Sequence, residues 1–238
     1  MGACPLIARG AVGRVVVWGY SAASVTNVPP GLTNVVAVAG GLDHALALRD
    51  DGTVVAWGTD TGYGETHVPP GLSNVVAISA GWGFSMALRG DGTVVTWGHD
   101  ATVPPPGLTN VVAISAGGHQ FCLALRADRT VAAWGWNGSG QTNVPPGLTN
   151  VIAVAGGLDH SAALLNDGTV TAWGTDDFFG NLKIPPGLSN VVAISAGWSQ
   201  TLALRSDGTV VGWGFDAHVP PGLTSPKTSE WEARSAAA

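Results

Sequence analysis

Six copies of the dipeptide Trp-Gly lie at nearly equal spacing in this chain of 238 residues, and that spacing constrains the fold more than any other feature. Successive copies are 39, 40, 37, 39 and 40 residues apart, and a Pro-Pro-Gly-Leu block follows every copy. A period of this length indicates a structure assembled from repeated supersecondary units. The tryptophans of the dipeptide, here called the repeat tryptophans, are Trp18, Trp57, Trp97, Trp134, Trp173 and Trp213.

Each unit contains three short segments rich in Val, Ile, Leu and Ala. In the first complete unit they span residues 35–40, 44–49 and 54–58. The dipeptide Asp51-Gly52 separates the second segment from the third, and its glycine supplies the positive φ that a hairpin turn requires. No segment shows the 3.6-residue periodicity of an amphipathic helix. Each unit is therefore predicted to form a three-stranded antiparallel meander.

A single meander cannot cover both of its faces, so the units are expected to pack radially against one another. Six such units close into a β-propeller, which leaves only short, protected strand edges. The paired prolines forbid a strand ladder in the connectors between blades. We therefore predict an all-β fold, a six-bladed β-propeller, as one domain over residues 1–224. Its blades are predicted at 35–58, 75–98, 111–135, 151–174 and 191–214, with a partial N-terminal blade at 6–19.

A second, longer period of 116 residues lies over the short one. Residues 35–58 and 151–174 are identical at 18 of 24 positions, and the same count holds for 75–98 and 191–214. This pattern indicates a tandem duplication of three blades. A six-bladed ring would then have approximate twofold symmetry, with duplicated blades opposite each other.

The sequence does not determine how the ring closes. The N-terminal unit lacks an inner strand, and the tail at 225–238 does not match the repeat. Either the alternating segment 231–234 serves as the closing strand, or the ring stays open, or the tail is foreign to the protein. A closed ring predicts a monomer, whereas an open edge predicts pairing with a second chain.

Charge and hydropathy exclude several classes of partner. The formal net charge is −6 with only two lysines, so no basic stripe neutralises phosphates and nucleic-acid binding is not expected. Apolar stretches are interrupted every few residues, which excludes a membrane-spanning helix. The N-terminus lacks the apolar run of a signal peptide, and we expect a soluble protein of open localisation.

One consensus string resembles a known family. It reads Val-Val-Ala-Ile-Ser-Ala-Gly, then Leu-Ala-Leu-Arg-x-Asp-Gly-Thr-Val-x-x-Trp-Gly, and it is similar to the RCC1-type repeat. The Thr-x-Val-Pro connectors and the Gly81-Trp82 and Gly197-Trp198 loops look closest to the bacterial β-lactamase inhibitory protein II branch. The resemblance covers about residues 5–224. It implies a propeller that binds partners, and because such propellers serve many purposes, inhibition of a β-lactamase is not carried over.

The meander topology sorts the connections onto two sides of the disc. The loops between first and second strands, and the segments after Trp-Gly, lie on one side, the loop face; the Asp-Gly turns lie on the other, the turn face. We interpret the turn aspartates as turn formers and the repeat tryptophans as packing between blades. Exposed aromatic residues beside carboxylates are typical of protein or glycan interfaces, with ordinary loop packing as the alternative. Candidate binding residues are Trp82, Trp198, Phe84, Trp136, Tyr63, Phe178, Phe179, Asp60, Asp100, Asp176 and Asp216.

A second hypothesis concerns the duplicated strings Gly41-Leu42-Asp43-His44 and Gly157-Leu158-Asp159-His160. If Asp43, His44, Asp159 and His160 converge near the axis, they provide an acid–base pair or ligands for a divalent metal that activates water. His119 joins His44 and His160 as a candidate metal ligand, because its loop contains one extra residue. The alternative is a purely structural role for the repeated histidines.

The sequence therefore supports two functions of different classes. The first is a binding propeller that recognises a protein or glycan through the loop face. The second is a hydrolase of small esters or phosphoesters in an axial pocket, with a divalent metal as its possible cofactor. No other cofactor is predicted.

Overall fold

All five complete units predicted from the sequence form three-stranded antiparallel sheets in the computed structural model. The structure describes residues 15–17, 24–99, 103–176, 180–215 and 217–220. The sheets, here called blades one to five, pair their strands in chain order. The strands are β1 (Val35–Gly40), β2 (His44–Arg49), β3 (Val54–Gly58), β4 (Val75–Ala80), β5 (Phe84–Arg89), β6 (Val94–Gly98), β7 (Val111–Ala116), β8 (Phe121–Arg126), β9 (Val131–Gly135), β10 (Val151–Gly156), β11 (His160–Leu165), β12 (Val170–Gly174), β13 (Val191–Ala196), β14 (Gln200–Arg205) and β15 (Val210–Gly214).

The turns between second and third strands follow the predicted chemistry. In blade one, the Asp51 carboxylate accepts hydrogen bonds from the Thr53 backbone N–H at 2.9 Å and from its hydroxyl at 2.6 Å. Both bonds favour the ionised form, so they lower the pKa of Asp51. Gly52 has φ 77°, which L side chains rarely adopt. Blade three places Arg129 in this conformation, with φ 65°.

The innermost strand of every blade contains one register shift next to its second residue. In blade two the pairing steps from Val75 directly to Ala77, so Val76 is the extra residue. A bulge of this kind re-aims a side chain. The equivalent residues Val112, Ile152 and Val192 are between 41% and 54% exposed, and all three line the axial channel with Val76.

The repeat tryptophans join successive blades, as predicted. The described members are buried, with 5% to 8% of their surface exposed. Their indole N–H groups donate to carbonyl oxygens 32 residues upstream: Trp57 to Val25 at 2.7 Å, and Trp97 to Glu65 at 3.0 Å. Trp173 and Trp213 repeat the bond to Gln141 and Asn181. Each of these four indoles thus buries its apolar body and satisfies its one donor.

Shared apolar clusters hold the blades in chain order. They join blade one to two, two to three, three to four, and four to five. Val15 and Val17 pack against the free side of blade one. The rest of the predicted partial blade at 6–19 and the tail at 225–238 lie outside the described residues. Six blades and the mode of closure therefore stay predictions. No helix in the described part of the chain is long and apolar enough to span a membrane.

Candidate functional site

Four aromatic side chains from four separate loop-face segments form a continuous chain of ring contacts. Trp82 contacts Trp198 with ring centroids 5.3 Å apart, and it contacts His119 at 5.3 Å. His119 in turn contacts Trp136 at 5.0 Å. All three contacts are edge-to-face, a favourable arrangement of aromatic rings. We call these four residues the aromatic patch.

The patch draws on three blades, namely two, three and five. Trp82 lies between β4 and β5, His119 between β7 and β8, and Trp198 between β13 and β14. Trp136 follows the end of β9 directly. Trp136 is 44% exposed and Trp198 is 53% exposed, so the two ends of the chain of rings face solvent.

Hydrogen bonds between successive loops hold the patch in place. The backbone N–H of Gly118 donates to the carbonyl of Gly157, and the N–H of Leu158 donates to the carbonyl of Trp198, both at 2.8 Å. These bonds tie the loop of blade three to that of blade four, and the loop of blade four to that of blade five. The aromatic rings therefore stand on a bonded platform around the axis.

Glycines allow these loops to come this close. A Cβ atom at Gly81 would lie 2.6 Å from the carbonyl oxygen of Gly117, and one at Gly157 would lie 2.7 Å from that of Gly197. The cavity left between the loops, beneath Trp82, is only about 10 Å³. That space is at the lower limit for a single water molecule. This cavity, between the described loops of blades two to five, therefore has no room for a small molecule.

A carboxylate adjoins the patch. Asp159 Oδ1 lies 2.8 Å from His119 Nδ1 and accepts a hydrogen bond from the Ser139 hydroxyl at 2.9 Å. His119 and Asp159 side chains are 36% and 22% exposed. The four-residue loop of blade three, one longer than that of blade one, allows the contact; its last residue, Gln120, has φ 47°. His119 and Asp159 are separate candidates in the sequence, whereas neither their pairing nor the part of Ser139 is predicted from it.

The structure places His44 and His160 away from an axial pocket, contrary to the catalytic and metal-binding hypothesis. Both side chains are fully buried. His44 Nε2 lies 2.9 Å from the Ser85 hydroxyl of blade two, and His160 Nε2 lies 2.9 Å from the Thr201 hydroxyl of blade five. Each histidine thus bridges two neighbouring blades.

The hydrogen bonds around His44 also indicate its tautomer. The Ser85 hydroxyl donates its only hydrogen to the Glu65 carbonyl at 3.1 Å, so it accepts from His44 Nε2–H. Burial lowers the pKa of His44, because the charged imidazolium loses its hydration. A buried, neutral imidazole of this kind is a structural residue.

Phe84 is likewise not part of an exposed surface. It is fully buried at the first position of β5, equivalent to His44 in β2 and Phe121 in β8. A Cβ atom at Gly81 would lie 2.2 Å from the Phe84 ring. The ring therefore fills the space beneath the loop, where no partner reaches it.

Other predicted binding residues lie on the loop face outside the patch. Asp60 accepts hydrogen bonds from the backbone N–H groups of Gly64 and Gly62, which lower its pKa and identify it as a loop-shaping residue. Tyr63 is 54% exposed and contacts His99. Asp176 lies 3.9 Å from Lys183. Asp100, Asp216, Phe178 and Phe179 lie outside the described residues.

The three histidines predicted as metal ligands lie in three different places. His44 is between blades one and two, His160 is between blades four and five, and His119 is on the surface. Within the described ranges, no three His, Cys, Asp or Glu side chains come together in a way that could hold a metal ion. Of the four residues predicted as an acid–base set, Asp159 contacts a histidine at the loop face, and that histidine is His119.

The turn-face end of the channel differs from the loop-face end. It contains a cavity of about 320 Å³ that is lined by apolar side chains from blades two to five. Val76, Val112, Ile152 and Val192 contribute to it. None of the described residues that line this cavity has a titratable side chain, so they offer no acid–base chemistry.

Comparison with protein families identifies the repeat. The profile described as "Regulator of chromosome condensation (RCC1) repeat" matches residues 35–65, 75–101, 111–141, 151–180 and 191–218. The chain belongs to the RCC1 repeat family. The first strand of every matched segment is the inner strand of a blade, so the family repeat and the structural blade coincide. A comparison with curated proteins finds no match.

Several solved structures resemble this RCC1 repeat protein in fold. Prp20p from Saccharomyces cerevisiae is 22% identical with a TM-score of 0.64, over 82% of this chain and 62% of that chain. The ectodomain of the Arabidopsis thaliana receptor kinase ACR4 is 25% identical with a TM-score of 0.67, over 85% and 73%. The ectodomain of the Physcomitrella patens receptor kinase CR4 is 25% identical with a TM-score of 0.68, over 79% of this chain and 54% of that chain. The chain thus spans less than two thirds of the Prp20p chain.

Proposed function

We propose that this RCC1 repeat protein is a binding module that recognises a protein partner through the aromatic patch. The observation that carries the proposal is the continuous chain of rings from Trp198 through Trp82 and His119 to Trp136. Tryptophan is enriched at the energetically dominant positions of protein interfaces, because it buries a large rigid area at low entropic cost.

The shape of the site favours a macromolecule over a small ligand. The cavity beneath Trp82 has a volume of about 10 Å³, which is too small for a ligand, whereas the rings above it offer an exposed surface. Side chains of Trp136 and Trp198 stay about half exposed although apolar surface is costly to expose to water. A partner that covers them removes this cost.

Proteins of the same fold bind other proteins. Prp20p from yeast has binding properties to Gsp1p and histones, and yeast RCC1 is seen bound to Kap60. These similarities support the architecture as a scaffold for protein recognition. The assignment of that role to this chain, and to its aromatic patch, is our proposal.

Selection from a displayed random peptide library tests the proposal. We expect the wild-type protein to enrich peptides that Trp82→Ala and Trp198→Ala variants fail to retain. Tyr63→Ala is the matched control, because Tyr63 is an exposed loop-face aromatic outside the patch. Thermal unfolding of each variant checks that the fold is intact. Enrichment that survives both tryptophan substitutions contradicts the proposal, and binding to a glycan array without peptide enrichment favours a glycan partner.

Hydrolysis of an ester or phosphoester is the second candidate, and one observation favours it. Asp159 orients His119 through the 2.8 Å contact at Nδ1, which leaves Nε2 as a base. A panel of chromogenic esters and phosphoesters, with and without chelator, tests this candidate. Turnover that His119→Ala abolishes would support it, and a flat panel would leave the binding function alone.

We also propose that the chain forms a closed six-bladed ring of duplicated origin, akin to the β-lactamase inhibitory protein II branch. The 116-residue period and the packing of Val15 and Val17 against blade one support a sixth blade position. A closed ring should be monomeric by sedimentation. A dimer that dissociates when the N-terminal segment is deleted would instead indicate an open edge.

A further inference from the structure

We infer that the aromatic patch receives a cationic side chain, lysine or arginine, from its protein partner, with Asp159 as the counter-ion. This inference rests on the proposed function and specifies the chemistry of the partner. It draws on three independent observations: the distribution of charge over the two faces, the geometry of Asp159, and the exposure of the tryptophan rings.

Charge is distributed unequally between the two faces of the disc. In the part of the chain that the structure describes, all arginines lie at the turn face, at the ends of second strands or in a turn, where six aspartates balance them. The loop face has four aspartates and one lysine, Lys183, which lies near Asp176. Fields of this kind attract cationic partners to one face. The aspartates of the loop face are Asp43, Asp60, Asp159 and Asp176.

Among these aspartates, Asp159 is the one that contacts the aromatic patch. Its Oδ1 atom receives both contacts, from His119 at 2.8 Å and from Ser139 at 2.9 Å. Its Oδ2 atom accepts no hydrogen bond from the described residues, and the side chain is 22% exposed. The carboxylate is therefore held in one orientation with one oxygen available to an incoming donor.

The tryptophan rings complete the site. An ammonium or guanidinium group is attracted to the face of an indole ring within about 6 Å of its centroid. The ring centroids of Trp82 and Trp198 lie 5.3 Å apart, and the centroid of Trp82 lies 5.3 Å from that of the His119 imidazole, which contacts Asp159. A long aliphatic side chain with a terminal cation fits this arrangement, because its stem covers indole surface while its charge meets the carboxylate.

Two synthetic pentapeptides test the inference by NMR. One contains two arginines between glycines, and the other contains citrulline, a neutral isostere, in their place. We expect the arginine peptide to shift the indole N–H signals of Trp82, Trp136 and Trp198 but not that of the buried Trp97. Citrulline should weaken binding at least fivefold, because it removes both the ion pair and the cation–π contact.

Asp159→Asn and Asp128→Asn are matched variants. Asn keeps the acceptor for Ser139 in the first and the acceptor for Thr130 in the turn of the second, while each substitution removes one charge. We expect Asp159→Asn to lower the affinity for the arginine peptide about fivefold. The affinity of Asp128→Asn for the same peptide should stay within twofold of the wild-type value.

Three results would overturn the inference: no indole shift with millimolar peptide, equal affinity for citrulline, or equal effects of the two variants. Failure here is distinguishable from failure of the proposed function. If library selection still enriches peptides that depend on Trp82 and Trp198 but have no excess of lysine or arginine, the patch binds proteins through apolar contacts alone.

Discussion

The region between the blades and the loop face use the same residue types for opposite purposes. Between the blades, Trp97 is buried and donates its indole N–H to Glu65, and His44 is buried against Ser85. On the loop face, Trp198 is 53% exposed and His119 contacts Asp159 beside it. The position within the repeat, rather than the residue type, decides which purpose a side chain has.

This comparison explains why the sequence predicts a catalytic role for the repeated histidines His44 and His160, whereas the structure buries both between blades. In sequence, a histidine next to an aspartate at the start of a strand is typical of a catalytic or metal-binding site. His44 and Phe84 nevertheless occupy the same buried position in neighbouring blades, and Gln200 begins the equivalent strand of blade five, so the position does not require a titratable group.

The largest expected effect separates the two classes of tryptophan. Trp97→Ala should lower the free energy of unfolding by about 3–5 kcal/mol, because it leaves a cavity between blades and removes the donor to Glu65. Trp198→Ala should cost about 0.5 kcal/mol, since its ring is half exposed. Urea unfolding measures both. Equal losses would show that the loop-face tryptophans also hold the fold.

The next effect concerns the ring position at the start of second strands. His44→Ala should lower stability by about 2 kcal/mol, because it leaves a cavity beneath the loop. His44→Phe should cost less than about 1 kcal/mol, since Phe84 and Phe121 fill the equivalent space. Thermal unfolding distinguishes them. If phenylalanine is as harmful as alanine, the hydrogen bond to Ser85 rather than ring packing governs this position.

A smaller effect on stability is expected when the charged and neutral side chains at two equivalent buried positions, Glu65 and Gln141, are exchanged. Glu65 is fully buried, and its Oε1 accepts a hydrogen bond from the Thr61 backbone N–H, while its Oε2 accepts none from the described residues. Gln141 occupies the same place in a later connector. Glu65→Gln should raise stability by about 1 kcal/mol, and Gln141→Glu should lower it. Chemical unfolding of both variants tests this pair. A loss in Glu65→Gln would show that the carboxylate is stabilising.

The smallest effect is a pH dependence of stability. Burial lowers the pKa of His44 below its ordinary value of 6.5, so the unfolded chain binds a proton that the folded chain does not. Stability should therefore fall as the pH drops below about 7, with His44 contributing about 0.5 kcal/mol between pH 7 and 6. His44→Phe removes this contribution. An unchanged slope of stability against pH in that variant would contradict the assignment.

Most of the blade architecture could be predicted because it is encoded locally. Alternating apolar segments, the Asp-Gly turns and the proline connectors each act within one unit, so strand bounds such as Val35–Gly40 follow from the repeat. The candidate site was only partly predictable. Trp82, Trp136 and Trp198 stand out as departures from the repeat. No sequence signal, however, indicates that Trp82 contacts Trp198 and His119, or that His119 contacts Trp136.

The misassigned residues have a physical explanation. Phe84 and His44 directly follow a glycine-containing loop, so in sequence they look like loop residues. In the structure they are the first residues of strands, and their rings turn beneath the loop glycines Gly81 and Gly41. Whether such a ring points to solvent or to the next blade depends on how closely that blade approaches.

The sequence by itself determined the repeated unit, its three strands, its turns and the burial of the repeat tryptophans, because all of these depend on hydrogen bonds and apolar faces within one unit or between immediate neighbours. Only the tertiary structure decided that Trp82 meets Trp198, and that Asp159 meets His119 across 40 residues of chain. Those contacts depend on the curvature of the ring and the close approach of the glycine loops at its axis, which are properties of all the packed blades together.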